Sequence, residues 1–256
     1  MKAFHIIVLI LIALLAPALI LAQNLPSPEQ HFGHRMGAEG RIIDYLNGLE
    51  YYKTLAARSD RIQYTEPGKT SDGHPYGLLI ISSPENLSKL DDIRRQRDRL
   101  FDPRETSQAE ARRLAQELPA VAFHTSSIHS TEISTAQVVP ELVYSLVNGN
   151  SDEVQRILDN VVILVAPSAN PDGQVKVKQW YDEHEGTTWE SRMPWLYHTY
   201  VGHDNNRDWI LLHFPEQRIT AQEVHNKWHP VYSHEMHQMG GTGAGLDDGV
   251  LDLDEV

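Results

Sequence analysis

Pro119-Ala-Val-Ala-Phe-His-Thr-Ser-Ser-Ile-His-Ser-Thr-Glu132 is the stretch that decides the fold. Ala120–Phe123 is a short apolar run, as expected of a strand buried on both faces. From Glu132 to Val147 the pattern reads as a helix. Between strand and helix stand His129 and Glu132, an imidazole and a carboxylate close enough in sequence to converge on one cation of the Zn²⁺ type.

The same alternation continues on both sides. Downstream, Val154–Leu158 predicts a short helix, Val161–Val165 a strand, Glu216–Trp228 a helix and Pro230–Ser233 a strand. Upstream, Ala38–Arg58 carries apolar residues at three- and four-residue steps and predicts a helix. Tyr76–Ser82 is β-like after a turn cluster. Leu87–Leu100 and Ser107–Leu118 read as helices, the second with Ser107 as its cap and Glu110 three residues on. Continuous apolar strands separated by helices predict an α/β fold, with a mixed, mostly parallel sheet and helices on both faces. Functional groups in such sheets gather at the carboxyl ends of strands, and His129, Asn170 and His237 each follow a predicted strand by a few residues.

Composition narrows the chemistry. A chain of 256 residues, 41% hydrophobic and 22% charged, has room for one large domain with a buried core. A net charge of −13 argues against nucleic-acid binding, which needs a basic face. The absence of cysteine leaves only His, Asp and Glu for a metal site and removes disulfides and thiol nucleophiles. Lys2 followed by the apolar Ile6–Leu15 and by Ala16–Ala22 predicts a cleaved leader over residues 1–22, with mature chain from Gln23. The protein is therefore expected to be exported, periplasmic or extracellular, with no stable membrane association after cleavage. Gly240–Gly245 lacks the Lys-Ser/Thr of a phosphate loop.

Three further segments carry polar groups. Asn170-Pro-Asp-Gly173 follows a buried strand and reads as a turn. In Asp204-Asn-Asn-Arg-Asp-Trp209, an Arg beside an Asn suits recognition of a carboxylate, against the plainer reading of a solvated Arg paired with Asp208. Ser233-His-Glu-Met-His-Gln-Met-Gly240 holds two His three apart, unlike the His-Glu-x-x-His helix of zincins. At a strand end, one of them would be a ligand and the other its neighbour.

Taken in order, His129-Ser-Thr-Glu132, Asn170-Pro-Asp-Gly173, Asn206-Arg207 and a His near 237 resemble the zinc metallocarboxypeptidases, the M14 peptidases, over roughly Asp44 to Ala244. No one motif is specific; the ordered set is. The resemblance implies a carboxypeptidase-like fold and one Zn²⁺ held by His129, Glu132 and His237, the last preferred to His234 because Gln-Met-Gly follows it. It implies that Asn206 and Arg207 grip the carboxylate of a peptide or protein C-terminus. Arg192, the one Arg between Gly173 and Arg207, would polarise the scissile carbonyl. Glu235 would stand behind the metal as an orienting carboxylate.

The family's general-base Glu lies far downstream of its third ligand, and here 256 ends soon after His237 in an acidic segment, 245–256, without family character. The expectation is a partial catalytic domain over 23–244, lacking its C-terminal part and the base, and unable to run the full reaction. Two alternatives are an amidohydrolase or deacylase on the same scaffold, and a non-catalytic exported zinc-binding fragment.

Overall fold

The computed structural model describes residues 25–190, 193, 194 and 196–238. The leader expected over 1–22, Arg192 and the acidic segment 245–256 lie outside the described residues. Helices α1 (Pro28–Phe32) and α2 (Tyr45–Arg58) precede strands β1 (Ile62–Lys69) and β2 (Pro75–Ile81). Helices α3 (Pro84–Ser88), α4 (Leu90–Phe101) and α5 (Gln108–Glu117) lead to β3 (Ala120–Ser126). Then come α6 (Ile133–Asn148), α7 (Asp152–Asn160), β4 (Val161–Ala166) and α8 (Pro171–His184). A 3₁₀ turn, Gly202–Arg207, is followed by α9 (Pro215–Thr220), a π-turn (Ala221–His225), α10 (Asn226–Trp228) and β5 (Tyr232–Met236).

The sheet is mixed, in the order β1-β2-β4-β3-β5. β4, β3 and β5 run parallel, and the β1–β2 hairpin joins antiparallel through β2. Residue parity sends side chains to opposite faces. Leu79, Ile81 and Val165 pack with Leu49, Tyr52 and Leu55 of α2 and Val139 and Val143 of α6. Leu78, Ile80, Val121, Phe123 and Leu164 pack on the other face, with Leu87, Val224 and Trp228. Each fully buried Leu, Ile or Phe contributes about 1.5–3 kcal/mol relative to exposure, so the two apolar layers fix which face each helix covers. Both faces are covered by helices, as the continuous apolar strands require. Among the described residues, no helix is long and apolar enough to cross a membrane.

Local chemistry sets several boundaries. α2 starts at Tyr45 rather than Ala38, because the Asp44 carboxylate accepts from the backbone N–H of Asn47 at 2.8 Å and caps the helix there. The helix expected over Leu87–Leu100 is two helices, broken at Lys89, whose backbone is not helical. Ser107 caps α5 through the N–H of Glu110, but the Glu110 carboxylate turns outward to Arg113 and Arg99 instead of closing a capping box. β1 was not legible: Glu66-Pro67-Gly68 interrupts its pattern, and its register with β2 shifts between Thr65 and Gly68. Proline is tolerated there because β1 is an edge strand.

Candidate metal centre

The carboxyl ends of the parallel strands β4, β3 and β5 lie along one edge of the sheet, and the candidate residues follow them. β3 ends at Ser126, whose carbonyl accepts from Ala169 N–H, after β4, at 2.7 Å. The chain then turns at Ser127, which has a left-handed φ of 59°. His129 and Glu132 are both buried at 6% exposure, so neither is a solvated turn residue. Glu132 is the residue preceding α6, yet its side chain makes no cap bond to the helix.

The Glu132 carboxylate instead faces two imidazoles. Oε1 lies 2.9 Å from His129 Nδ1, and Oε2 lies 3.2 Å from Nδ1 of His237, the residue directly after β5. The backbone N–H of Gln238 donates to Oε2 at 2.9 Å, while the Gln238 side-chain oxygen accepts from Ser134 N–H in the first turn of α6. β5 and α6 are thereby tied together beside the group, and an otherwise unpaired helix N–H is satisfied. Burial opposes ionisation of Glu132. Its hydrogen bonds with His129 and Gln238 outweigh that cost and hold its carboxyl below the usual range.

One ligand atom from each of His129, Glu132 and His237 lies within 4.8 Å of the others. Two imidazoles and one carboxylate converging on a point are a donor set that fits Zn²⁺, with a fourth position left for water. His234 takes a different place. It stands within β5 opposite His124 of β3, their Nδ1 atoms 3.1 Å apart. Burial raises the pKa of Glu235, against the pull of His237 and His129, and among the described residues its buried Oε1 has no hydrogen-bond partner.

Asn170-Pro-Asp-Gly173 is more than a turn. Asn170 caps α8 by accepting Gly173 N–H at 3.0 Å, with Pro171 in the first turn, so the turn residues are a helix start. Its Nδ2 donates to the carbonyl of Ile128 at 3.3 Å. The buried Asp172 accepts from Thr70 Oγ1, from Asp72 N–H at 2.7 Å and from His74 Nδ1 at 2.8 Å, locking the β1–β2 connection to α8. The motif shapes the loop that carries His129 and does not enter the metal group.

Asn206 and Arg207 close the 3₁₀ turn, Arg207 exposed and donating to Asn206 Oδ1. Asp208 does not pair with Arg207; its carboxylate accepts from His213 N–H and Phe214 N–H, both at 2.8 Å. Two residues of this turn were missed in the sequence. The His203 ring stacks on His129 with centroids 4.1 Å apart and planes 20° off parallel. Asn205 is fully buried and donates to the Ile128 carbonyl at 2.7 Å. Nothing in the local pattern of a polar loop marks either one; only proximity in the fold does.

Comparison with known proteins bears on the family and the fold. A family model described as zinc carboxypeptidase matches residues 49–238. No curated protein sequence matches the chain. Among solved structures, carboxypeptidase A from Helicoverpa armigera is similar with a TM-score of 0.50 at 15% identity, over 79% of this chain and 47% of that one. A metallo-carboxypeptidase from Burkholderia cenocepacia has a TM-score of 0.45 at 18% identity, over 74% of this chain and 40% of that one. The chain thus spans less than half the length of these two proteins. At 15% identity the likeness to the Helicoverpa armigera structure concerns the fold. The family match extends over most of the chain, and the family's metal is zinc, for which His129, Glu132 and His237 form a fitting group. The chain belongs to the zinc carboxypeptidase family.

Proposed function

We propose that the protein is an exported zinc-dependent hydrolase of the carboxypeptidase type, releasing C-terminal residues from peptides. One observation carries the reading: two imidazoles and a carboxylate, from the ends of β3 and β5, meet on the carboxyl edge of a parallel sheet. Zinc bound there would lower the pKa of a coordinated water toward ~7 and polarise the scissile carbonyl. His129, Glu132 and His237 would hold it, with Gln238 N–H fixing the orientation of the Glu132 carboxylate. Arg207, on the exposed end of the 3₁₀ turn, offers a planar fork to a terminal carboxylate, and the Asn206 amide beside it adds a neutral donor. The role of carbonyl-polarising cation is proposed for Arg192 from the sequence alone.

The test has two readouts. Calorimetric Zn²⁺ binding to the chain should be lost in His129→Ala. Binding of a short peptide with a free C-terminus should weaken about 10- to 100-fold in Arg207→Ala, the scale of a charge-assisted hydrogen-bond pair, and the C-terminally amidated peptide should bind weakly to both. Unchanged zinc binding in His129→Ala, or equal binding of acid and amide peptides, overturns the reading.

A further inference from the structure

We propose that Asn205 is a positioning residue for the metal centre, fixing the backbone from which His129 projects and registering the Asn206–Arg207 segment against it; the proposal rests on the zinc reading above. His129 sits on an arc that begins at Ser127, whose φ of 59° is unfavourable for a residue with a Cβ. Such an arc persists only when its surroundings hold it. The peptide unit that matters is Ile128–His129, and its carbonyl is gripped by two carboxamides. Asn205 Nδ2 donates to it at 2.7 Å and Asn170 Nδ2 at 3.3 Å. Asn170 is also engaged as the cap of α8 and with the carbonyl of Tyr197. The shorter bond belongs to Asn205.

Asn205 is fully buried, and among the described residues its Oδ1 has no hydrogen-bond partner. A buried carboxamide is held by the hydrogen bonds it makes, and the one Asn205 donates goes to the peptide that carries His129. Its own backbone is seated by Gln217, whose Nε2 donates to the Asn205 carbonyl at 3.3 Å. Two residues earlier in the same turn, His203 lies face to face on the His129 ring. The next two residues are Asn206 and Arg207. One short turn therefore touches the metal ligand twice, through its ring and through its backbone, and carries the carboxylate-gripping pair at its end. Residues that orient ligands from behind govern metal affinity by setting the ligand's direction.

The experiment is a Co²⁺ titration of the whole chain, read by visible absorption and by chelator competition, on the parent, Asn205→Ala and His203→Ala, with circular dichroism on each. Asn205→Ala is expected to weaken Co²⁺ binding about 10- to 100-fold and to shift the ligand-field bands. His203→Ala, at an exposed position, is expected to weaken it about two- to tenfold. A folded Asn205→Ala that binds Co²⁺ with the parent's affinity and spectrum makes Asn205 a packing residue only and overturns the proposal. Should Asn205→Ala not fold, His203→Ala decides, and parent-like binding there overturns the role of the turn. A parent chain that binds no Co²⁺ overturns the zinc reading itself.

Discussion

Gly173 lies against the side chain of Ser130 so closely that a Cβ on it would stand 2.3 Å from Ser130 Oγ, and 2.5 Å from the carbonyl oxygen of Tyr197. Ser130 directly follows His129 and donates to the Asn170 carbonyl at 3.2 Å. The glycine of Asn170-Pro-Asp-Gly173 is thus required by close approach of α8 to the ligand loop. Gly173→Ala should destabilise the fold by roughly 1–3 kcal/mol. That corresponds to a Tm lower by about 3–10 °C, measurable by differential scanning calorimetry. Co²⁺ affinity should fall with it, because the clash pushes on the segment that holds His129.

Arg97 is buried at 2% exposure and its described hydrogen bonds go to carbonyls, with no carboxylate among them. It donates to Trp228 O at 2.8 Å, Pro119 O at 3.2 Å and His229 O at 2.5 Å, tying the start of β3 to the approach to β5. Burial lowers its pKa, but a guanidinium stays charged. Arg97→Ala leaves three acceptors unserved and should cost about 3 kcal/mol or more in urea unfolding. Arg97→Lys should recover less than half, since one ammonium cannot match the geometry of the fork.

Asp172 should behave as a structural carboxylate. Thr70, Asp72 and His74 all direct donors to it from the β1–β2 connection. Asp172→Ala is expected to lower stability by about 2–4 kcal/mol while leaving the affinity of the folded protein for Co²⁺ within a few-fold of the parent. A large loss of metal affinity with unchanged stability would contradict this assignment.

His124 gives the fold a pH dependence. Burial, with the neighbouring His234 imidazole adding to it, pushes the pKa of His124 down to about 4. A histidine held neutral in the folded chain takes up its proton more readily when unfolded. Its contribution is therefore complete above the ordinary histidine pKa of about 6.5 and is lost as pH falls from there toward 4. Discounted for partial exposure, the loss should be on the order of 2 kcal/mol. Chemical denaturation between pH 7 and 4 should show it, and His124→Leu should flatten that portion of the curve.

Several elements were legible because one short stretch settles each. Ala120–Phe123 and Val161–Val165 can hardly be anything but buried strands, and Ser107 with Glu110 marked the start of α5. Others were hidden by residues that serve two purposes. Asn170-Pro-Asp-Gly173 has turn composition, yet Asn followed by Pro also starts a helix, and α8 begins there. β1 carries a proline and a shifted register that its edge position permits. His234 and His237 could not be separated by local pattern, and the choice between them came from a resemblance. In the fold, His234 faces His124 while His237 reaches Glu132.

By itself, the sequence determined the layers of the fold, because apolar runs and helical periods state which surfaces must be buried. The absence of cysteine restricted any metal site to His, Asp and Glu, and the ordered set of motifs, rather than the His129–Glu132 pair alone, carried the resemblance to a zinc family. The tertiary structure decided which residues meet. Parallel pairing of β3 with β5 brings His237 to Glu132 across 105 positions of chain, and the turn holding His203 and Asn205 folds onto the loop of His129. Those contacts depend on strand order and on the return of a distant loop, and neither is written in the local pattern of any segment.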